Sequence, residues 1–167
     1  SEEWSTIETG LMQRAELLNL ILLDLYGPRN LIRSGLIPPD LVFSHPGFLL
    51  PCVNLPTSGS RTLNFYAADL VRDCNGQISV LSDRAQSPAG AGYALENRLV
   101  ISRVLPSLFR DSHTHRLANF VRTTRLALNR LSPQKEDEPN IVLLSPGPAN
   151  EAYFEHAYLA NYLGYTL

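Results

Sequence analysis

The sequence predicts a mixed α/β (α+β) fold: a β-hairpin plus short, mostly parallel strands, with helices packed around them. Three observations predict it. A Cys74-Asn75-Gly76 turn separates two strand-like segments, the first over 64–72 and the second ending at Arg84. Asn-Gly between such segments favours a type I′ hairpin turn, because both central residues then need positive φ. Apolar residues recur at helical spacing through 4–26 and 117–131. Ile141-Val142-Leu143-Leu144 is a continuous apolar run, as expected of a strand buried on both faces of a parallel sheet.

From the N-terminus, Leu11, Leu17, Leu18, Ile21, Leu22 and Leu25 mark one amphipathic helix over 4–26, with Ser5 or Thr6 as its cap and Gly27-Pro28 as its end. A further helical turn is expected over 29–34, and Pro39 suits the first position of a short helix reaching Phe43. Pro46, Pro51 and Pro56 make 44–59 an irregular crossing.

In the first hairpin strand Phe65, Ala67, Asp69 and Val71 share a face. An acid on an otherwise apolar face is costly to bury alone. Asp69 is therefore exposed at an edge, paired with an arginine, or a ligand. After the hairpin, Gly90-Ala91-Gly92 opens a helix running to about Val104. A small-residue loop at a helix start can aim backbone N–H groups at an anion, or serve only helix packing. Arg98 and Arg103 follow on that helix; Arg98 either contacts an anion or pairs with Glu96 or Asp83.

Pro106 stops this helix or starts a short one over 107–110. His113-Thr114-His115 sits in a polar loop without a third ligand nearby, which favours solvated rings over a metal site. The arginines of the 117–131 helix, Arg122, Arg125 and Arg130, read as a solvated face. A charged linker spans 132–139. After the apolar run, Ser145-Pro-Gly-Pro-Ala-Asn150 turns the chain into a helix over 151–163, capped by Asn150 and ended by Gly164. Strand, loop, helix and a strand starting at Tyr165 follow βαβ grammar, whose βα loop either binds a ligand or is an ordinary tight turn. His156 reads as a packed helix residue rather than a base.

At 167 residues and 44% hydrophobic composition, the chain has the size of one domain or a large piece of one, with enough apolar content for a core. A formal charge of −2 gives no electrostatic case for nucleic acid or an anionic membrane. No apolar run approaches the roughly 20 residues of a membrane span, and SEEWSTIETG lacks the basic flank and apolar core of a secretion signal. Two cysteines, Cys52 and Cys74, are too few for a disulfide framework and point to a reduced, cytoplasmic setting. The missing initial Met and the end at Leu167 are read as a piece of a longer protein.

Three segments carry a family resemblance: GLMQRAELLNLILLDLYGPRNLIRSGLIPPDLVFSHPGF, ADLVRDCNGQISVLSDRAQSPAGAGYALENRLVISRVLPSLFR and VLLSPGPANEAYFEHAYLANYLGY. Together they resemble the circularly permuted ATP-grasp family (type 2), relatives of glutathionylspermidine-synthase-like ligases. The resemblance implies an N-terminal helical segment over 1–62 and an ATP-grasp-like portion over 63–167, together part of one domain in the N-terminal portion of a longer protein. It also implies an ATP-dependent carboxylate–amine ligase in the full-length form, with ATP and Mg2+ as cofactors and a small carboxylate and amine, or a peptide, as substrates. The alternative is a non-catalytic relative that binds a nucleotide or a protein.

In that family the metal ligands are an Asp on one hairpin strand, and a Glu and an Asn one residue apart on the other. Asp69 fits the first position. Ser82 stands where Glu is expected and Arg84 where Asn is expected. Asp83 is the second metal candidate, but in a regular strand it points to the other face unless a bulge re-aims it. Arg84 is a candidate to replace an ion's charge and bind phosphate directly. The resemblance thus implies Asp69 and Asp83 for metal, Gly90 and Gly92 for the nucleotide, and Arg84 and Arg98 for phosphate or substrate.

Overall fold

The computed structural model describes residues 2–55, 61–132 and 139–167. Most of the expected linker, 133–138, and the end of the proline-rich crossing, 56–59, lie outside the described residues. The chain forms two compact units, Ser1–Pro88 and Ala89–Leu167. The sequence expects a division near residue 62. Within the first unit, the first helix and the hairpin are joined by the ion pairs Arg14–Asp83 and Glu3–Arg72.

In the first unit, α1 (Glu2–Tyr26) is a single helix of 25 residues. Ser5 and Thr6 do not cap it. Both lie inside the first turns, and the Thr6 hydroxyl donates to the Glu2 carbonyl. Residues three and four apart share a helix face, and Glu3, Ile7, Gly10, Leu11 and Arg14 line one wall of an open cleft of about 510 Å³. The hairpin supplies the other wall through Leu70, Ile78 and Val80. The Asp24 carboxylate accepts hydrogen bonds from the N–H groups of Asn30 and Leu31, which starts α2 (Asn30–Arg33). α3 (Pro39–Phe43) begins at its proline as expected. The crossing is anchored by Tyr26, whose ring stacks on Phe48 and whose hydroxyl accepts from the Leu49 N–H. Asn19, 4% exposed within α1, accepts from the backbone N–H groups of Thr62 and Leu63. One side chain thereby fixes the entry of the chain to the hairpin.

The hairpin pairs β1 (Ala67–Arg72) with β2 (Ile78–Arg84) in antiparallel register. Its turn is not type I′. Among its residues only Gly76 has positive φ, at 83°, and Gly76 N–H donates to the Asp73 carbonyl. The Asp73 carboxylate also accepts from the N–H groups of Asn75 and Gln77. That side-chain cap holds the alternative hairpin loop, a turn followed by a left-handed glycine.

In the second unit, α4 (Ala91–Val104) leads to α5 (Pro106–Asp111), which Pro106 starts. α6 (Ala118–Arg130) and α7 (Tyr153–Leu163) follow. α7 begins two residues later than expected. Asn150 caps the preceding turn, its side-chain oxygen accepting from the Ala152 N–H. Gly164, at φ 75°, ends the helix as expected. α4 and α7 pack through buried Leu95, Ala160 and Leu163. An aromatic row, Tyr93, Phe154, Tyr158 and Tyr162, runs beside them at centroid spacings of 5.2, 5.8 and 6.1 Å.

The expectation of mostly parallel strands is corrected. The two-stranded sheet is antiparallel, and among the described residues parallel pairing is one bridge, Val142 to Thr166. The apolar run 141–144 pairs only there, and Leu144 is 92% exposed. The apolar content does not become a deep core either. Among the described residues only Val42, Leu95, Ala160 and Leu163 are buried apolar side chains. α1 is apolar around more of its circumference than the hairpin covers, which leaves Leu17 and Leu20 more than half exposed.

Asn19→Ala removes the acceptor of two backbone N–H groups and is expected to destabilise the first unit by about 1–3 kcal/mol. Equilibrium unfolding in urea checks this; an unchanged midpoint would mean that water serves those groups equally well.

Candidate functional site

The functional candidates of the first unit lie on the hairpin, and a bulge decides where each points. Asp69 pairs with Ser82 but Leu70 pairs with Val80, so Leu81 is an extra residue on β2. An inserted residue reverses the facing of everything beyond it. Val80 consequently shares a face with Leu70, towards α1. Ser82 and Arg84 share the other face with Asp69.

On that second face the Ser82 hydroxyl donates to Asp69 Oδ2 at 2.5 Å, and Arg84 Nε donates to the same oxygen at 2.9 Å. The Ser82 hydroxyl first, and then the Arg84 guanidinium, hold the Asp69 carboxyl below its usual range. Of the three situations open to Asp69, it adopts the arginine pair. The Arg84 side chain stays 60% exposed and that of Asp69 41%.

Asp83 faces α1. Arg14 clamps it in a bidentate pair, Nε to Oδ1 at 2.6 Å and Nη2 to Oδ2 at 2.7 Å, and the Tyr66 hydroxyl donates to Oδ1 at 2.7 Å. Arg14, then Tyr66, holds the Asp83 carboxyl below its usual range. Burial, followed by the adjacent Asp83 carboxylate, pushes the Tyr66 hydroxyl up to about 12. A second ion pair, Arg72 Nη1 to Glu3 at 2.7 Å, joins the other end of the hairpin to α1. The bulge expected as a route for Asp83 towards Asp69 is present, but it lies before Ser82 and leaves Asp83 on the α1 side.

Magnesium takes oxygen ligands in near-octahedral geometry. The Asp69 face offers one carboxylate, whose Oδ2 already accepts two hydrogen bonds and whose Oδ1 accepts none from a described residue, one hydroxyl already donating, and a guanidinium that cannot coordinate a cation and sets a positive charge beside the acid. Asp83 has both oxygens engaged. Among the described residues no group of three or more His, Cys, Asp or Glu side chains is placed to hold a metal. As arranged, the donor set of the hairpin does not fit a magnesium ion.

The candidates of the second unit lie at the start of α4. Gly90, at φ 114°, caps the helix. The anion its N–H groups meet is internal. Gly90 N–H donates to both oxygens of Glu155, at 2.7 and 2.8 Å, and Gly92 N–H donates to Oε1 at 2.8 Å. Glu155 projects from α7 and is 3% exposed. A Cβ on Gly92 would lie 2.8 Å from the Glu155 Cγ, so the missing side chain is what lets the carboxylate approach. The groups expected to cradle a nucleotide phosphate are thus satisfied by the chain's own carboxylate. Arg98 is half-buried on α4 and forms no ion pair among the described residues.

In the βα loop, Ser145 Oγ lies 3.0 Å from His156 Nδ1 and accepts from the Gly147 N–H at 3.2 Å. His156 is half-buried on the first turn of α7, and the pair ties the loop to the helix. The His113–His115 loop is exposed. Sequence reasoning missed Arg14, Tyr66 and Glu155 as partners. Their signals are long-range pairings, separated by 69, 17 and about 65 residues, which no local spacing reveals.

The family model described as circularly permuted ATP-grasp type 2 matches residues 1–167. The chain is 38% identical over 165 residues to an uncharacterized protein of Mycobacterium tuberculosis, covering 99% of this chain and 19% of the relative. It is 38% identical to an uncharacterized protein of Synechocystis, covering 99% of this chain and 34% of the relative. Against one of Mycobacterium leprae it is 38% identical over 168 residues, covering 100% of this chain and 30% of the relative. The chain therefore spans about a fifth to a third of the length of these curated relatives.

Glu155→Ala leaves the buried Gly92 N–H and the half-buried Gly90 N–H without an acceptor, and Gly92→Ala forces the carboxylate away. Each is expected to lower stability by about 1–3 kcal/mol. The double variant should lose less than the sum, because both act on one contact; full additivity in a thermal-unfolding cycle would refute the coupling.

The hairpin's attachment to α1 has a defined pH window. Asp83 is lowered, so its contribution is complete above the ordinary carboxylate pKa of about 4 and is lost as pH falls through the lowered value. Tyr66 is raised, so its contribution is complete below about 10 and is lost as pH rises towards about 12. Asp83→Asn should flatten the acid limb of the stability curve and Tyr66→Phe the alkaline limb. Limbs unchanged in these variants would assign the titration to other groups.

Proposed function

The chain belongs to the circularly permuted ATP-grasp type 2 family, and from that premise we propose that the full-length protein is an ATP-dependent ligase joining a carboxylate to an amine. In this reaction a substrate carboxylate oxygen attacks the γ-phosphorus of ATP, ADP leaves, and an acyl phosphate forms. An amine then attacks the acyl carbon, phosphate leaves, and the ammonium intermediate loses a proton to give an amide. ATP-grasp proteins generally use ATP and Mg2+. The observation that carries the proposal is the family match along the whole chain. Kinship to glutathionylspermidine-synthase-like ligases, a peptide-type substrate and a cytoplasmic setting belong to the same proposal.

Within it, Arg84 and Arg98 contact phosphate or a substrate carboxylate. A guanidinium matches the fork of a phosphate or carboxylate. Asp69 orients Arg84. Gly90 and Gly92 act indirectly, by fixing the start of α4 through Glu155, and Asp83 acts by fixing the hairpin on α1. No step of the reaction is assigned to a metal on this hairpin.

A second reading is a non-catalytic relative that binds a nucleotide or a protein. It is favoured by two contacts: Arg84 engages the hairpin acid, and Glu155 fills the expected phosphate cradle.

The full-length protein, incubated with ATP, magnesium and pools of carboxylates and amines, is expected to release phosphate only when both substrates are present. Arg98→Ala should cut that rate at least tenfold, the order of loss when a charged hydrogen bond to a reacting group is removed. Nucleotide binding without phosphate release under any pairing would favour the second reading.

A further inference from the structure

We infer that Arg84 is the built-in cation of the hairpin, standing where a divalent ion would be held, and that the hairpin binds a phosphoryl-type anion directly. The inference rests on the nucleotide-using reading above and deepens it.

Three observations carry it. The first is how the guanidinium is held. Asp69 Oδ2 takes Arg84 Nε, and the Ser82 hydroxyl donates to the same oxygen. With Arg84 Nε engaged, the two terminal nitrogens form no hydrogen bond to any described residue, and the end of the guanidinium that carries them both is unused. With the side chain 60% exposed and anchored through Nε, the terminal nitrogens are available to an anion from solvent. The second is the bulge at Leu81, which brings Ser82 and Arg84 onto the face of Asp69. The third is the fate of Asp83. It faces α1 and is fully engaged by Arg14 and Tyr66, so the Asp69 face gains no second carboxylate from β2.

The ligand class follows from the charge. Two carboxylates on one face would need a cation between them. One carboxylate with an attached guanidinium is already neutral and still offers two terminal nitrogens whose N–H donors are unfilled. Such donors match the paired oxygens of a phosphate or pyrophosphate, and charge-assisted bonds of this kind are about twice as strong as neutral ones. A divalent ion would find only Asp69 Oδ1 not already accepting a hydrogen bond on this face, and would lie beside the fixed positive charge of Arg84.

Two titrations of the full-length protein test this: manganese, followed by electron paramagnetic resonance, and inorganic pyrophosphate, followed by calorimetry. Asp69→Asn is expected to leave manganese affinity unchanged. Arg84→Gln is expected to weaken pyrophosphate binding at least about tenfold, the equivalent of one charge-assisted hydrogen bond. Arg84→Lys, which retains the charge without the fork, should fall between Arg84→Gln and the parent, and circular dichroism confirms that the variants fold alike. A tenfold or greater loss of manganese affinity in Asp69→Asn would overturn the inference, as would unchanged pyrophosphate binding in Arg84→Gln. Absence of pyrophosphate binding in the parent protein would overturn it as well. Failure of the ligase reading shows separately, as pyrophosphate binding that depends on Arg84 in a protein that never releases phosphate from ATP.

Discussion

One extra residue governs the first unit. Leu81 is not matched on β1, and because strand side chains alternate, that single insertion assigns every later residue of β2 to a face. Without it Ile78 and Val80 would share a face with Ser82 and Arg84, and Asp83 would share one with Ser79. With it the apolar residues and Asp83 turn together towards α1, while Ser82 and Arg84 turn together towards Asp69. The apolar contact and the Arg14–Asp83 pair therefore reinforce each other. Exposed ion pairs add little free energy, about 0–1 kcal/mol, so the ionic contacts at Arg14 and Arg72 are better understood as setting orientation than as supplying stability. Backbone groups held by a buried acceptor, such as those served by Asn19, contribute more to stability than these exposed pairs.

The second unit turns on a buried anion. A helix start with free N–H groups draws negative charge, and here α7 supplies it. Glu155, 3% exposed, reaches Gly90 and Gly92 because Gly92 has no Cβ. Desolvating a carboxylate is costly unless donors replace its water. Three N–H···O contacts at 2.7 to 2.8 Å do so. The small-residue loop is thus a packing device and an anion site at once, with the anion provided from within the chain.

Local chemistry was legible in the sequence, and long-range chemistry was not. The helix over 4–26, the proline starts of α3 and α5 and the glycine end of α7 all follow from residues within a few positions of one another. Asn-Gly predicts a type I′ turn at Gly76 because it dominates such turns; the cap from Asp73, one residue outside the expected loop, holds a different one. The parallel sheet was inferred from an apolar run at 141–144 that pairs at a single bridge. For Asp69 the sequence leaves exposure at an edge, an arginine pair or a ligand role open, and the pair with Arg84 depends on the register of a bulge that no local pattern reveals. For the loop at 90–92 the sequence leaves an anion site or plain helix packing open, and nothing local announces that residue 155 fills it.

Family membership fixes a fold and a class of chemistry, whereas the reaction depends on the groups at the site. Metal and guanidinium are not equivalent ways to neutralise a phosphate. A divalent ion brings two charges, accepts ligands from any direction and is present only as far as its concentration and affinity allow. A guanidinium brings one charge, acts in a plane, and is always present because it is covalently attached and does not lose its proton near neutral pH. A hairpin built on Arg84 would therefore hold its anion with less charge but more fixed geometry, and with no dependence on free magnesium at that point. Any further charge needed by a triphosphate in transit would have to come from elsewhere in the full-length protein. On the proposal made above, the family match gives the class of chemistry, and the Asp69–Arg84 pair is where a working phosphoryl-transfer site and a surface that only binds would differ.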